Sequence, residues 1–348
     1  MSIIFMDGLD CYADVAEASG GGWFSENAAA GFSTTGGRFG GGGFVFTTST
    51  FQIGRSFPLI AYGSTAIIGF SYYHTGAAAP AFLVRFFSDN GTALASITHN
   101  TAGAVTFTPQ IGTGSSTTSA GSPLTPNTWH WVEFKVTFGT TAANGSAEVK
   151  VDGVSVVTAA SQDTNTTGAG VNMFEITGGG APNPNESKFD DFILMNGSGS
   201  AFNDFIGPCV ITTQTPNADG GTVNWTASAG SAFQCVDEAP AAANDDTDYI
   251  SSATAAQESR FALTDLAGTP STVHAVQVRV KARKTTSGPR TIRGLINSNA
   301  VESVGTTVGL TTDYIWRTTG LYEQNPDGPA AWSESAVNAL QAGVEIVS

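Results

Sequence analysis

The stretch Thr128–Phe138, TWHWVEFKVTF, constrains the fold most. His130, Val132, Phe134, Val136 and Phe138 recur at every second position, with Trp129, Trp131, Glu133 and Lys135 between them. Side chains alternate across a strand, so this spacing predicts a strand whose apolar face covers a core. Ala147–Val157, AEVKVDGVSVV, alternates on both sides of Asp152-Gly153. Asp-Gly supplies the positive φ angles of a two-residue primed turn, so Asp152 and Gly153 are expected to turn a hairpin. Phe82–Ile97 predicts another hairpin, turning at Asp89-Asn90-Gly91, and Ser64–His74 predicts a further strand. The Gly/Ser/Thr run from Gly112 to Gly121 reads as a mobile loop.

Composition agrees with many short strands. Of 348 residues, 42 are glycine, 41% are hydrophobic and 12% are charged. That is too apolar for a disordered chain and too poor in charge for exposed helical faces. The formal net charge of −15 argues against binding nucleic acid, which needs a positive surface. Cys11, Cys209 and Cys235 are odd in number and lack metal-ligand spacing. A disulfide scaffold is therefore not expected, and assembly in a reducing cytosol is the simpler reading. Whether Cys209 and Cys235 pair is left open. MSIIFMDGLD has no basic leader region, and Asp7 interrupts its apolar run, so neither a signal peptide nor membrane insertion is expected.

The pattern restarts after about Phe205. His274–Ile296 reads as a hairpin, with Val276, Val278, Val280 and Ala282 on one face and Gln277, Arg279, Lys281 and Arg283 on the other. Tyr314–Pro326 follows as a strand. Ser333–Gly343 is the helix candidate, with Ser333 as N-cap and Gly343 as C-terminal cap, and VEIV closes the chain as a strand. The expected architecture is mostly β: an antiparallel β-sandwich over 1–207, then a smaller β-sandwich domain over 208–348 with one short C-terminal helix. The two parts carry net charges of −9 (6 basic, 15 acidic) and −6 (8 basic, 14 acidic). Arg279, Lys281, Arg283, Lys284, Arg290 and Arg293 form the main basic feature of the acidic chain. They are candidates for docking on acidic surface of a neighbouring subunit, or else a solvated strand face.

TWHWVEFKV, VKVDGVSV and KFDDFILMNGSG, in that order, resemble the laminin-G-like or concanavalin A-like jelly roll. MDGLDCYAD followed by GGRFGGGGFVF is similar to versions of that jelly roll in structural proteins of tailed bacteriophages. The stretches Phe202–Glu238 and Ala331–Ile346 resemble the second domain of such virion proteins. The resemblance implies a component of the virion exterior, made in the bacterial host cytoplasm. Its expected role is a non-catalytic tail fibre or appendage component that docks on other virion proteins, with a head decoration protein as the alternative. Symmetric self-association is expected, with a trimer as the guess, and no heptads drive it.

Concanavalin A-like folds also include glycoside hydrolases, which need two converging carboxylates and carry them as E-x-D-x-E. No such triplet is present. On a regular strand Asp190 and Asp191 point to opposite faces, so they are expected to be structural, one of them capping loop amides. Phe189 and Ile193 then share one face, and Phe192 and Leu194 the other. Glu133, Glu148 and Glu175 are lone strand acids, and no G-x-S-x-G elbow accompanies the four histidines. The glycine clusters at 20–22 and 36–43 lack the Lys-Ser/Thr ending of a phosphate loop and suit a turn and a bulged strand. No catalytic residue, cofactor or metal is expected, and the chain is expected not to be an enzyme; a carbohydrate-active enzyme is the remaining alternative. Laminin-G-like folds often bind glycan or protein. Tyr72, Tyr73, Trp129 and Trp131 are the candidate platform for a host-surface glycan or receptor, or else core residues.

Overall fold

The alternating stretch forms the strand His130–Thr137. It pairs antiparallel with Gly145–Val151 on one side and Thr65–His74 on the other. Val132, Phe134, Val136 and Phe138 are fully buried, as one apolar face over a core requires. This computed structural model describes residues 2–25, 31–46, 52–76, 81–112, 114–178, 187–243 and 245–348. Contacts divide the chain into two compact units, 1–211 and 212–348.

The first unit is a jelly-roll sandwich of two antiparallel sheets. The first sheet runs Val154–Gln162, Gly145–Val151, His130–Thr137, Thr65–His74, Ser187–Asn196, Gly43–Phe46, Phe32–Ser33, with Ile3–Asp7 also on Ser187–Asn196. The second runs Thr117–Thr118, Val105–Pro109, Ala93–His99, Ala81–Ser88, Gly170–Thr177, Gln52–Ala61, Trp23–Ser25. Within the expected mobile loop, Thr117–Thr118 thus adds an edge pair. Aromatic rings fill the space between the sheets. Trp23 and Phe174 from one sheet meet Phe44 and Phe192 from the other, with centroids 4.9 Å apart for Trp23–Phe192 and 5.0 Å for Trp23–Phe44. The Trp23 contacts are edge-on and Phe174 stacks on Phe192 at 25°, both arrangements that ring quadrupoles favour.

The hairpins form where the turns placed them. Asp152 (φ 51°) and Gly153 (φ 82°) link Gly145–Val151 to Val154–Gln162. Ala81–Ser88 pairs with Ala93–His99 across the Asp89–Gly91 turn.

The second unit has a five-stranded antiparallel sheet, ordered Pro216–Val223, Glu258–Leu263, Gln341–Ile346, Thr291–Ser298, Val301–Gly309. The expected hairpin over 274–296 does not form. Val276–Ala282 pairs with Ile315–Tyr322, and Thr291–Ser298 joins the larger sheet. The valine face explains the difference. Val278 buries against Ile296, Tyr322, Trp332, Val337 and Leu340, so the two runs stack through side chains instead of pairing through backbone. The helix is Glu334–Asn338, with the Ser333 side chain accepting from the Ala336 amide. It ends before Gly343, which lies in the last strand, where a Cβ would come within 2.0 Å of the Ser259 carbonyl.

Candidate functional site

The outer face of the first sheet carries the chemistry. Strand alternation sets it: Phe70 and Tyr72 point into the sandwich, so Gly69, Ser71 and Tyr73 point out. On the neighbouring strand Trp131, Glu133 and Lys135 point out.

At one end this face is open. The partly exposed rings of Tyr73 and Trp129 lie 5.6 Å apart at 44°. Lys188 Nζ stands 5.4 Å from the Tyr73 centroid, and the Tyr73 hydroxyl donates to Asn127 Oδ1 at 3.3 Å. Two candidates are corrected. Tyr72 is fully buried inside the sandwich, its hydroxyl 2.8 Å from His99 Nε2. Trp131 points outward yet is fully buried, its ring lying over Gly69, where a Cβ would sit 2.6 Å from it.

The rest of the face is covered by the chain leaving the last strand. Asp204 takes a hydrogen bond from Lys135 Nζ at 2.8 Å, and Lys135 and Lys150 stand 4.9 and 4.2 Å from the Phe205 ring centroid. The amides of Ile206 and Gly207 donate to Glu133 Oε1 at 2.9 and 3.2 Å. Arg38 Nη1 donates to the Cys209 carbonyl at 3.1 Å, and the Ile211 amide to Asp191 Oδ1 at 2.8 Å.

Under this cover lies the acid pair, and its geometry corrects the expected split across two faces. The register slips between Asp190 (opposite Ser71) and Ile193 (opposite Gly69), leaving one extra residue, and Asp191 takes φ 55°. Such a bulge breaks alternation. Phe189 and Phe192 therefore both pack inward, stacked on Phe70 or each other, and Ile193 turns out beside Gly69. Both carboxylates fall on the outer side. Asp190 accepts from the amides of Arg38 and Asp191, each at 2.7 Å. Asp191 accepts from Ser71 Oγ at 2.9 Å and lies 4.0 Å from Arg38 Nη1. Both acids therefore cap loop amides, where one was expected to.

Burial pushes both carboxyls up, and for Asp190 the neighbouring Asp191 adds to it. The amide and Ser71 bonds and Arg38 pull Asp191 back down, so Asp190 holds its proton longer. Burial also raises Glu133, against the opposite pull of the Ile206 and Gly207 amides, Lys150 and the Trp131 indole. Asp190 and Asp191 are 5% and 1% exposed, so they brace loops and reach no ligand.

The four histidines serve elsewhere. The rings of His74 and His99 lie 4.8 Å apart, tilted at 44°, in the sandwich, where burial pushes His99 down to about 4. His130 Nδ1 lies 2.7 Å from Asp152 Oδ2, and its Nε2 accepts from the Thr125 amide at 2.9 Å, so it clamps a loop onto the hairpin turn. His274 lies in the second unit, lowered by burial. All three cysteines are free thiols. Among the described residues, no group of three or more His, Cys, Asp or Glu could hold a metal ion.

In the second unit the basic stripe is largely paired within the chain. Lys281 meets Asp245 at 2.9 Å, Arg283 meets Asp246, and Arg293 meets Glu345 at 2.7 Å. Lys284 donates to the Gly288 carbonyl, Arg279 lies 6.0 Å from the Trp316 ring, and Arg290 is exposed. Sequence reasoning missed Arg38, the anchoring role of Glu133 and the covering segment. Only the polar NDF triplet at Asn203–Phe205 signalled that segment.

No protein-family model and no curated protein matches the chain. Similar solved structures include an alginate lyase from a Chlorella virus (14% identity, TM-score 0.41, 56% of this chain and 99% of that one). A carbohydrate esterase from Shiga toxin-encoding bacteriophage phi24B is similar at 15% identity, TM-score 0.39, over 56% of this chain and 98% of that one. Botulinum neurotoxin type C, in a structure concerned with ganglioside interaction, is similar at 12% identity, TM-score 0.36, over 50% of this chain and 42% of that one. The expectation that the chain is not an enzyme is corrected on this finding, since a lyase and an esterase stand among its similar structures. At these values the likeness assigns neither a reaction nor a site to this chain.

Proposed function

We propose that the chain is a virion protein of a tailed bacteriophage whose first unit binds a host-surface glycan at Tyr73 and Trp129. The observation that carries the reading is the open end of the first sheet. There two partly exposed rings stand together with a lysine and an asparagine beside them. Ring faces stack on the apolar side of a sugar, while Asn127 and Lys188 offer hydrogen bonds to its hydroxyls. The phage origin rests on the N-terminal and second-domain resemblances. A tail fibre or appendage on the virion exterior, self-associated and docked on other virion proteins, is the placement we favour.

A glycan array with the full chain tests the binding, followed by titration of the best hit. Tyr73→Ala and Trp129→Ala are each expected to weaken it by about 2- to 12-fold, the range of about 0.5–1.5 kcal/mol for a stacked ring. A hit that both variants bind as tightly as the parent chain overturns the assignment of the site. Labelled antibody on intact particles tests the placement, and absence of label overturns it.

A further inference from the structure

We propose that Thr125, His130 and Asp152 form an acyl-transfer centre that hydrolyses an ester carried on a sugar hydroxyl of the glycan. The choice of a sugar ester rests on the glycan reading above, and the three-residue centre does not. His130 is buried, and its ring is held at both nitrogens. Nδ1 lies 2.7 Å from Asp152 Oδ2, and Asp152 Oδ1 accepts from the Trp131 amide at 2.8 Å, so the carboxylate is itself fixed. Nε2 accepts from the Thr125 amide at 2.9 Å, which a protonated Nε2 could not do. The ring is therefore the tautomer whose proton sits on Nδ1, facing Asp152, and whose lone pair faces Thr125. The Thr125 hydroxyl shares that lone pair at 3.0 Å. A hydroxyl, a base and an orienting acid, each within hydrogen-bond reach of the next, are the constellation that activates an oxygen for attack on a carbonyl. Clamping the loop needs only the amide bond, so the clamp does not account for the hydroxyl on the same nitrogen.

The surroundings suit a nucleophile. Thr125 is exposed and His130 is buried, so the hydroxyl meets solvent while its base is shielded. The loop is pinned on both sides of Thr125. Leu124 is fully buried and its amide donates to the Gly103 carbonyl at 3.2 Å, and the Asn127 amide donates to the His74 carbonyl at 2.7 Å. Pro126 restricts the backbone of Thr125 to extended conformations. Asn127 is held at φ 61°, with its Oδ1 accepting from the Tyr73 hydroxyl. The same short loop thus carries Thr125, Asn127 and Trp129, which sets the hydroxyl beside the glycan platform.

The reaction balances with water as its one co-reactant. Thr125 Oγ1 adds to the ester carbonyl carbon as its proton passes to His130 Nε2, where the Thr125 carbonyl at 3.3 Å is an acceptor for it. The bond from that carbon to the sugar oxygen breaks, and the sugar oxygen takes the proton from Nε2. Water then adds to the acyl-threonine and gives a proton to Nε2. The bond to Thr125 Oγ1 breaks, Oγ1 recovers the proton, and a carboxylic acid leaves. Asn127 Nδ2 and Lys188 Nζ are the donors that the platform offers to a developing oxyanion. An ester suits a site with few such donors better than an amide, because a sugar alkoxide leaves more readily than an amine.

Hydrolysis of p-nitrophenyl acetate, which carries no sugar, tests the centre on the full chain. The parent is expected to turn it over and, after rapid acid quench, to carry an acetyl group on Thr125 by peptide mass spectrometry. Thr125→Val keeps the amide and the shape but loses the hydroxyl, and is expected to lower kcat/KM by about 100-fold or more. Thr125→Ser is expected to restore turnover. Asp152 is a positioning residue. Asp152→Asn keeps an oxygen for the Trp131 amide but turns an NH2 toward Nδ1, which moves the ring proton to Nε2. It is expected to lower kcat by about 100-fold or more with KM unchanged, a split that a merely structural role would not give. A parent no faster than Thr125→Val overturns the proposal. So does an acetyl group found only on other residues, or an Asp152→Asn variant with the parent kcat. Thr125-dependent turnover beside a glycan array without a hit leaves the centre standing and overturns the glycan reading, and with it the sugar ester.

Discussion

Asp7 is a buried carboxylate surrounded by donors from three other residues and by a guanidinium. It accepts from Trp23 Nε1 and Tyr12 Oη at 2.9 Å each and from the Leu9 amide at 3.0 Å, with Arg55 at 3.7 Å. Arg55 in turn lies over Phe5 and Trp23. Asp7→Ala strands these donors and a shielded guanidinium, and should cost the first unit about 3–5 kcal/mol in urea denaturation. A loss under about 1 kcal/mol would show that water satisfies them. The sequence marked Asp7 as an interruption in an apolar run and no more. Its role depends on Tyr12 and Trp23, which a turn and a short helix bring back to it. The acid pair misled for a different reason. Alternation is a sound rule for a regular strand, and nothing in KFDDFIL announces the bulge at a non-glycine residue that suspends it.

The elements that could be read were those whose signal is local. A turn dipeptide carries its own backbone preference, so the Asp152-Gly153 hairpin formed where expected. Gly153→Ala tests that logic. A Cβ there would have Pro208 Cδ at 3.8 Å, an ordinary contact, so the cost is conformational and should be about 1–2 kcal/mol. Thermal denaturation checks it, and an unchanged midpoint would mean that φ 82° at Gly153 is not required. The run from 274 to 296 carried a local signal too, and there tertiary packing overruled it. Its valines needed the six-membered cluster around Trp332, supplied by a strand, a helix and a loop far along the chain. The helix was shorter than its spacing suggested because Gly343 is required as the close-packing point of a strand, not as a cap.

At the scale of the molecule, two cores predict two unfolding events. One is built around Trp23, Phe174 and Phe192, the other around Val278, Ile296 and Trp332. Calorimetry should resolve two transitions. Phe192→Ala should lower one and Trp332→Ala the other, each by about 3–5 kcal/mol for its unit. One transition that both variants shift equally would show that the units unfold together. The segment 204–211, a strap tied over the first sheet through side chains, has a mechanical consequence as well. Its last bond, Ile211 to Asp191, sits one residue before the second unit begins. Tension arriving through residue 212 meets that bond before any ladder of the first sandwich, and loads the strap bond by bond from its end, as a zipper is pulled. Peeling 204–211 pays out about 27 Å of chain, at about 3.4 Å per residue, with both sheets intact. A chain pulled at that end would then have a built-in length of slack, taken up and rewound before the first core bears the load.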